Sequence, residues 1–333
     1  MILWLKKRKN NMKKLSRFLF ASAICLGMCG CKSSTDKKIE LKRDSSLDSP
    51  IELNKTTFET KITDKDSFVV VVEASGCMSC LSFMKVLNSY MSETHAIFYT
   101  LPSTEAEKCY NYISFKITPT LFIFSEGKQI AKTDYNSGNL NTDATFKEYL
   151  SKYTYLSPVV RISEEQLQTK INNKETFIVK YSWDKCGDCS TSDKYFSEFF
   201  KKNSSVLTIY EVELSEYYDK RENKDDPIWT DMTGKYGLSK KGSEEYGWQN
   251  GVVPTYQYRK EGNIAGQAII YNEVYETGED QVKVTGSYYS DSPALNKTYK
   301  ATKDKTAYQV YQESTAEFFL SKLKVLLNNL FKI

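Results

Sequence analysis

The chain has 333 residues, 40% hydrophobic and 26% charged, a globular composition long enough for two domains of about 150 residues and unlike disordered or fibrous chains. Its formal charge of +4 comes from the start of the chain: residues 1–30 hold seven Lys and Arg and no acid, and the rest carries 39 basic against 42 acidic residues. No basic excess is left for a nucleic-acid surface, and a single histidine, His95, with no HExxH pattern argues against a zinc hydrolase.

Residues 1–30 read as a targeting segment, with a basic stretch followed by the apolar run FLFASAICLGM at 18–28. Eleven residues are too few to span the ~30 Å of a bilayer core as a helix. The run leads into Cys29-Gly30-Cys31-Lys32, which resembles a bacterial lipoprotein signal. That resemblance implies lipidation at Cys31, preceded by Gly30, and an extracytoplasmic protein held on the membrane by its N-terminus. Residues 31–49, rich in Ser, Asp and Lys, are expected to be a flexible tether.

Two folded segments are expected to follow, 50–153 and 157–333. In the first, a helix is predicted over 54–65, then a buried strand at Phe68–Val72 (FVVVV), then the pair Cys77 and Cys80 opening a helix with apolar residues at Cys80, Phe83, Leu87 and Tyr90. A strand over 95–101 and the stretch AEKCYNY, with Cys109 expected to be buried, lead to Ile117-Thr118-Pro119-Thr120. Another strand and a Glu126-Gly127 turn come next, and a helix over 142–153 closes the segment.

The same plan recurs. A strand at 158–162 and a helix capped by Ser163 precede the strand FIVKY at 177–181, and the pair Cys186 and Cys189 again opens a helix. A strand over 206–214 is followed by an insertion near 215–252, with short helices expected at 228–236 and 243–247 and with Trp229 and Trp248 expected to pack it down. Val252-Val253-Pro254-Thr255 then repeats the earlier proline landmark, ahead of a Glu261-Gly262 turn. The first Cys-x-x-Cys leads its proline by 42 residues and the second by 68, so the second copy carries about 26 extra residues before Pro254. An extended hairpin near 267–288 and a helix over 306–331, striped by Phe319, Leu323, Leu326 and Leu327, complete the chain.

A Cys-x-x-Cys between strand and helix, followed by X-Pro-Thr, a strand and Gly, and occurring twice, resembles a tandem thioredoxin-like protein. The resemblance implies an α/β architecture of two thioredoxin-like folds, each a central mixed sheet flanked by helices. It also implies that Thr118-Pro119 and Val253-Pro254 are cis, face the cysteines and contact substrate. Cys77 and Cys186 would be nucleophiles and Cys80 and Cys189 resolving thiols, acting on protein or peptide thiols and disulfides and on a membrane redox partner, as a monomer with no metal or cofactor. The buried acid that many relatives carry falls at Val71 and Lys180 here, with Glu73 and Asp184 as candidate substitutes. Lys185 and Gly187 make Cys186–Cys189 the expected more reactive pair, although Asp188 opposes Lys185. The competing readings are inert structural disulfides or zinc ligation, with the chain serving as a peptide-binding or export accessory protein.

Overall fold

The computed structural model describes residues 38–221, 223, 225–238, 251–271 and 273–333. The expected targeting segment, Cys31, residues 32–37 of the expected tether, the helix expected over 243–247 and Trp248 lie outside the described residues.

The N-terminal repeat runs β1 (Ile39–Asp44), β2 (Ile51–Glu52), α1 (Lys55–Thr63), β3 (Phe68–Glu73), α2 (Met78–Thr94), β4 (Tyr99–Pro102), the single turn α3 (Ser103–Ala106), β5 (Thr120–Ser125), β6 (Lys128–Asp134) and α4 (Asp143–Tyr153). The C-terminal repeat continues as β7 (Thr154–Arg161), α5 (Glu164–Asn172), β8 (Phe177–Ser182), α6 (Gly187–Asn203), β9 (Ile209–Glu213) and α7 (Pro227–Tyr236). After it come β10 (Thr255–Lys260), β11 (Asn263–Ile269), β12 (Glu273–Gly278), β13 (Gln281–Ser287), β14 (Thr298–Lys300) and α8 (Ala307–Phe331).

Helix starts follow the side chains that can cap them. Asn54, Thr142, Ser163 and Thr306 each accept a bond from the third helical amide, satisfying a donor with no partner inside the helix. β3 is buried along Phe68–Val72 because both its edges are paired, with β4 parallel on one side and β5 antiparallel on the other, and both faces of the sheet are covered. Burial stabilises the fold by roughly 1.5–3 kcal/mol per large apolar side chain. One face of this sheet packs against Phe83, Leu87 and Phe146 of the flanking helices, and the other against Phe58 and Leu53.

The strand order β2-β4-β3-β5-β6 in the first sheet returns in the second as β7-β9-β8-β10-β11, so the duplication read from the cysteine and proline spacing is one of topology. Even the last turn is repeated. Glu126-Gly127 and Glu261-Gly262 both have positive φ, and the glycine amide in each bonds to a carbonyl just ahead of the central strand, that of Asp66 or Glu175. A Cβ on Gly127 would run into the Ile62 carbonyl oxygen at the end of α1. Gly127→Ala is therefore expected to destabilise the chain by about 1–3 kcal/mol, read as a lower urea midpoint. An unchanged midpoint would show that the turn can move away from α1.

Three expectations require correction. The tether expected over 31–49 does not extend through residues 39–44, which form β1 and add a sixth strand to the second sheet, parallel to β7. Ile39 and Leu41, two apolar residues at alternate positions, point into the core of the N-terminal repeat while their backbone pairs with the C-terminal one. The link allowed between 153 and 157 does not exist as free chain, because α4 ends at Tyr153 and β7 begins at Thr154. The first strand of the hairpin expected near 267–288 is broken where buried Tyr271 takes φ 53°. Its first part is β11 of the main sheet, and its second is β12 of a separate three-stranded sheet with β13 and β14. The final helix covers the second sheet as expected, burying Phe319, Leu323, Leu326 and Leu327 in one cluster with Ile178, Tyr256 and Ala268.

Candidate redox site

Each central strand ends in a short turn that delivers a cysteine to the cap of the next helix. Cys77 caps α2 and its sulfur accepts the Cys80 amide at 3.1 Å; Cys186 caps α6 and accepts the Cys189 amide at 3.0 Å. This places the first sulfur of each pair at the positive end of a 17-residue helix, where negative charge is favoured. Gly76, with φ 72°, makes the turn in the N-terminal repeat and Lys185 occupies that place in the C-terminal one; in both the cysteine amide bonds back, Cys77 to the Ala74 carbonyl at 3.3 Å and Cys186 to the Trp183 carbonyl at 3.1 Å.

Both pairs are closed as disulfides, Cys77–Cys80 and Cys186–Cys189. In each, the first cysteine is part-exposed and the second is buried, at 4% and 5% exposure for Cys80 and Cys189. Thr118-Pro119 and Val253-Pro254 are both cis, and the carbonyl before each proline lies against the exposed sulfur, 3.4 Å from Cys77 and 3.7 Å from Cys186. The next threonine in each repeat, Thr120 or Thr255, donates its hydroxyl back to Ile117 or Val252 and starts a strand. The cysteines and the proline landmarks singled out in the sequence therefore come together, once in each repeat.

The surroundings of the two pairs differ. Beneath the first, Val71 is fully buried among apolar neighbours. In the second, Lys180 holds the corresponding place on β8, 3% exposed, with its ammonium 2.9 Å from both carboxylate oxygens of Asp193 and 2.8 Å from Glu211. Burial alone would lower the Lys180 pKa, but Tyr256, Glu211 and Asp193 outweigh it and hold the group above the ordinary lysine range. Burial would likewise raise Glu211, yet Lys180, Ser182 and Arg161 keep its carboxyl below the usual carboxylate range. A cavity of about 610 Å³ opens beside this cluster, lined by Cys186, Cys189, Lys180, Asp193 and Glu211 and reached by Glu40 of β1.

The two acids named as candidates for the missing buried carboxylate have different surroundings. Asp184 is exposed and pairs with Arg161 at 2.9 Å, and Glu73 ends β3, where burial and Glu52 raise its pKa. Asp193 and Glu211 were not legible as partners of Lys180, although a lone lysine in an apolar strand signals that some acid must meet it. Asp188 accepts bonds from Tyr308 and Gln312 of α8, contacts that no local pattern announces. Cys109 lies buried in a 3₁₀ turn after α3, and burial pushes its thiol pKa up. Among the described residues, no cluster of three His, Cys, Asp or Glu is placed to hold a metal, and no helix is long and apolar enough to cross a membrane.

Strand order, the helix-capping cysteine pair and the cis-proline facing it settle the architecture. Both repeats have a thioredoxin-like fold. No protein-family model matches the chain, and no curated protein does. Among solved structures, similarity is found to a single-residue mutant of thioredoxin from Halobacterium salinarum NRC-1, at 21% identity over 33% of this chain and 94% of that one, TM-score 0.28. Human ERp44, in its zinc-bound form, matches at 12% identity over 68% of this chain and 54% of that one, TM-score 0.27. Thioredoxin from Plasmodium falciparum matches at 16% identity over 32% and 99%, TM-score 0.27.

Proposed function

We propose that the chain is an extracytoplasmic thiol-disulfide oxidoreductase, tethered to the membrane through a lipid on Cys31 and acting on cysteines of proteins or peptides. The observation that carries this reading is the paired geometry: a part-exposed sulfur at a helix N-terminus, a buried sulfur one turn on, and a cis-proline carbonyl against the first, in both repeats. The helix end favours a thiolate on Cys77 or Cys186 once the pair is reduced.

Electron flow then balances in two exchanges. The thiolate attacks one sulfur of a substrate disulfide, forming a mixed disulfide and releasing the other substrate sulfur as a thiolate that takes a proton from water. Cys80 or Cys189, after losing its proton, attacks the sulfur of its partner, closes the intramolecular disulfide and releases the second substrate thiolate. The substrate gains two electrons and the pair loses two, so a dithiol donor must reset it; run in reverse, the same steps oxidise a substrate dithiol. Pro119 and Pro254 leave the carbonyls of Thr118 and Val253 beside the sulfurs, where the backbone next to a substrate cysteine can pair with them.

The test is reduction of insulin disulfides with dithiothreitol as donor. The protein should accelerate it at least tenfold over the variant with Cys77, Cys80, Cys186 and Cys189 all changed to Ser. Equal rates would leave the disulfides structural and the chain a binding module. The tether is tested separately: Cys31→Ser should move the protein from the membrane to the soluble fraction, and unchanged fractionation would remove the lipid from the proposal.

A further inference from the structure

The residue before the second cysteine is Ser79 in one pair and Asp188 in the other. Ser79 stays with its own site: its hydroxyl is 3.2 Å from Cys77 sulfur and donates to the Thr118 carbonyl at 3.0 Å. Asp188 is instead held by α8. Tyr308 Oη donates to its Oδ1 at 2.9 Å and Gln312 Nε2 donates to the same oxygen at 2.6 Å. The two donors are four residues apart, hence on one face of α8, and Tyr275 and Tyr311 pack around Tyr308 with ring centroids 5.4 Å away.

Burial pushes the Asp188 carboxyl up, and the two donors work against that shift by stabilising the ionised form. The tyrosines around it, Tyr271, Tyr275, Tyr308 and Tyr311, are all pushed up by burial and stay neutral. Asp188 has no cationic partner among the described residues. Lys180 is engaged by Asp193 and Glu211, Arg161 by Asp184 and Glu211, and the neighbouring Lys185 is exposed to solvent. A carboxyl held by two donors and without a cationic partner among the described residues therefore sits in the first turn of the helix whose end must carry the Cys186 thiolate.

We propose that Asp188, clamped by Tyr308 and Gln312, is a positioning residue that makes Cys186–Cys189 the more reducing of the two pairs. It rests on the oxidoreductase reading and adds a direction to it. When a disulfide takes up two electrons, one proton goes to the buried thiol and the exposed sulfur remains as thiolate or takes a second proton. Asp188 raises the energy of that thiolate, weakens the reduced state and lowers the potential. Ser79 can turn its hydroxyl toward the Cys77 thiolate, strengthens the reduced state and raises the potential. The ranking that Lys185 and Gly187 suggest is thereby reversed, because the exposed lysine is screened by water more than the half-buried, clamped carboxylate.

The experiment measures each pair's midpoint potential against glutathione redox buffers at neutral pH, using the C77S/C80S and C186S/C189S proteins. These equilibria need no substrate, so they stand even if insulin reduction fails. Cys186–Cys189 should lie lower by three- to tenfold in equilibrium constant, tenfold being about 30 mV. Asp188→Asn should raise its potential, and Tyr308→Phe with Gln312→Leu should raise it too while adding little to Asp188→Asn. In the other background, Ser79→Asp should lower the potential of Cys77–Cys80 without involving α8. Equal potentials, a higher one for the second pair, or a folded Asp188→Asn protein with an unshifted potential would each overturn the assignment.

Discussion

Lys180→Met should cost the folded chain about 3–5 kcal/mol at neutral pH, the range for breaking a buried ion pair from one side. The methionine replaces the stem but not the ammonium, so Glu211, 15% exposed at its side chain, loses its main compensating charge. Asp193 is less affected, since 47% of its side chain is exposed and can be hydrated from the cavity. The pH dependence gives the sign. In the natural chain Glu211 is held below its ordinary pKa, so its contribution is present above the ordinary carboxylate value of about 4.3 and is lost as pH falls through the depressed folded value. In the variant, burial without Lys180 raises Glu211, and acidification relieves the strain by protonating it. The stability gap between the two proteins should therefore narrow as pH falls from 7 to about 4 in urea titrations. A gap constant across that range would mean that Glu211 is not coupled to Lys180.

Trp229→Ala should cost a similar amount, about 3–5 kcal/mol, the range for emptying a large aromatic site in a core. Trp229 is fully buried, and Gly251 lies so close that a Cβ there would strike the indole. Its ring meets Trp183 at 6.3 Å between centroids, Trp183 meets Tyr218 at 5.0 Å, and the Trp183 carbonyl takes the Cys186 amide. The insertion therefore reaches the second redox turn through two aromatic contacts. Besides a lower urea midpoint, the variant should lose dithiol turnover in the C77S/C80S background and keep it in the C186S/C189S background. Equal losses in both backgrounds would show that the effect is global.

What the sequence disclosed and what it withheld divide along the range of the interactions. Cys77, Cys80, Cys186, Cys189, Pro119 and Pro254 were legible because strand, turn, cap and cis-proline are set by neighbours within a few residues, and the pattern occurs twice. The helices starting after Asn54, Thr142, Ser163 and Thr306 were legible for the same reason. β1 was not, because Ile39 and Leu41 among charged residues give an alternation two positions long, and its partner strand lies more than 100 residues away. The break at Tyr271 was hidden in a run of good strand formers, where tertiary packing overrides propensity. The partners of Lys180 and Asp188 come from α6, β9 and α8, and pairing between separate elements leaves no local signature.

β1 also constrains the order in which the molecule can be built. Its parallel ladder is with residues 154–161, yet Lys42 and Asp44 also bond to Ile97 and His95, and Ile39 and Leu41 complete the core of the repeat that is synthesised between. A nascent chain ending near residue 153 thus holds the partners of β1 at residues 94–97 and most of the core it packs on, but lacks the parallel strand that completes its ladder. The β1–β7 ladder closes a loop of more than 100 residues, the kind of non-local contact that slows folding. The first described strand to leave the ribosome can therefore meet residues 94–97 early, while its parallel ladder waits until the C-terminal repeat has begun to emerge.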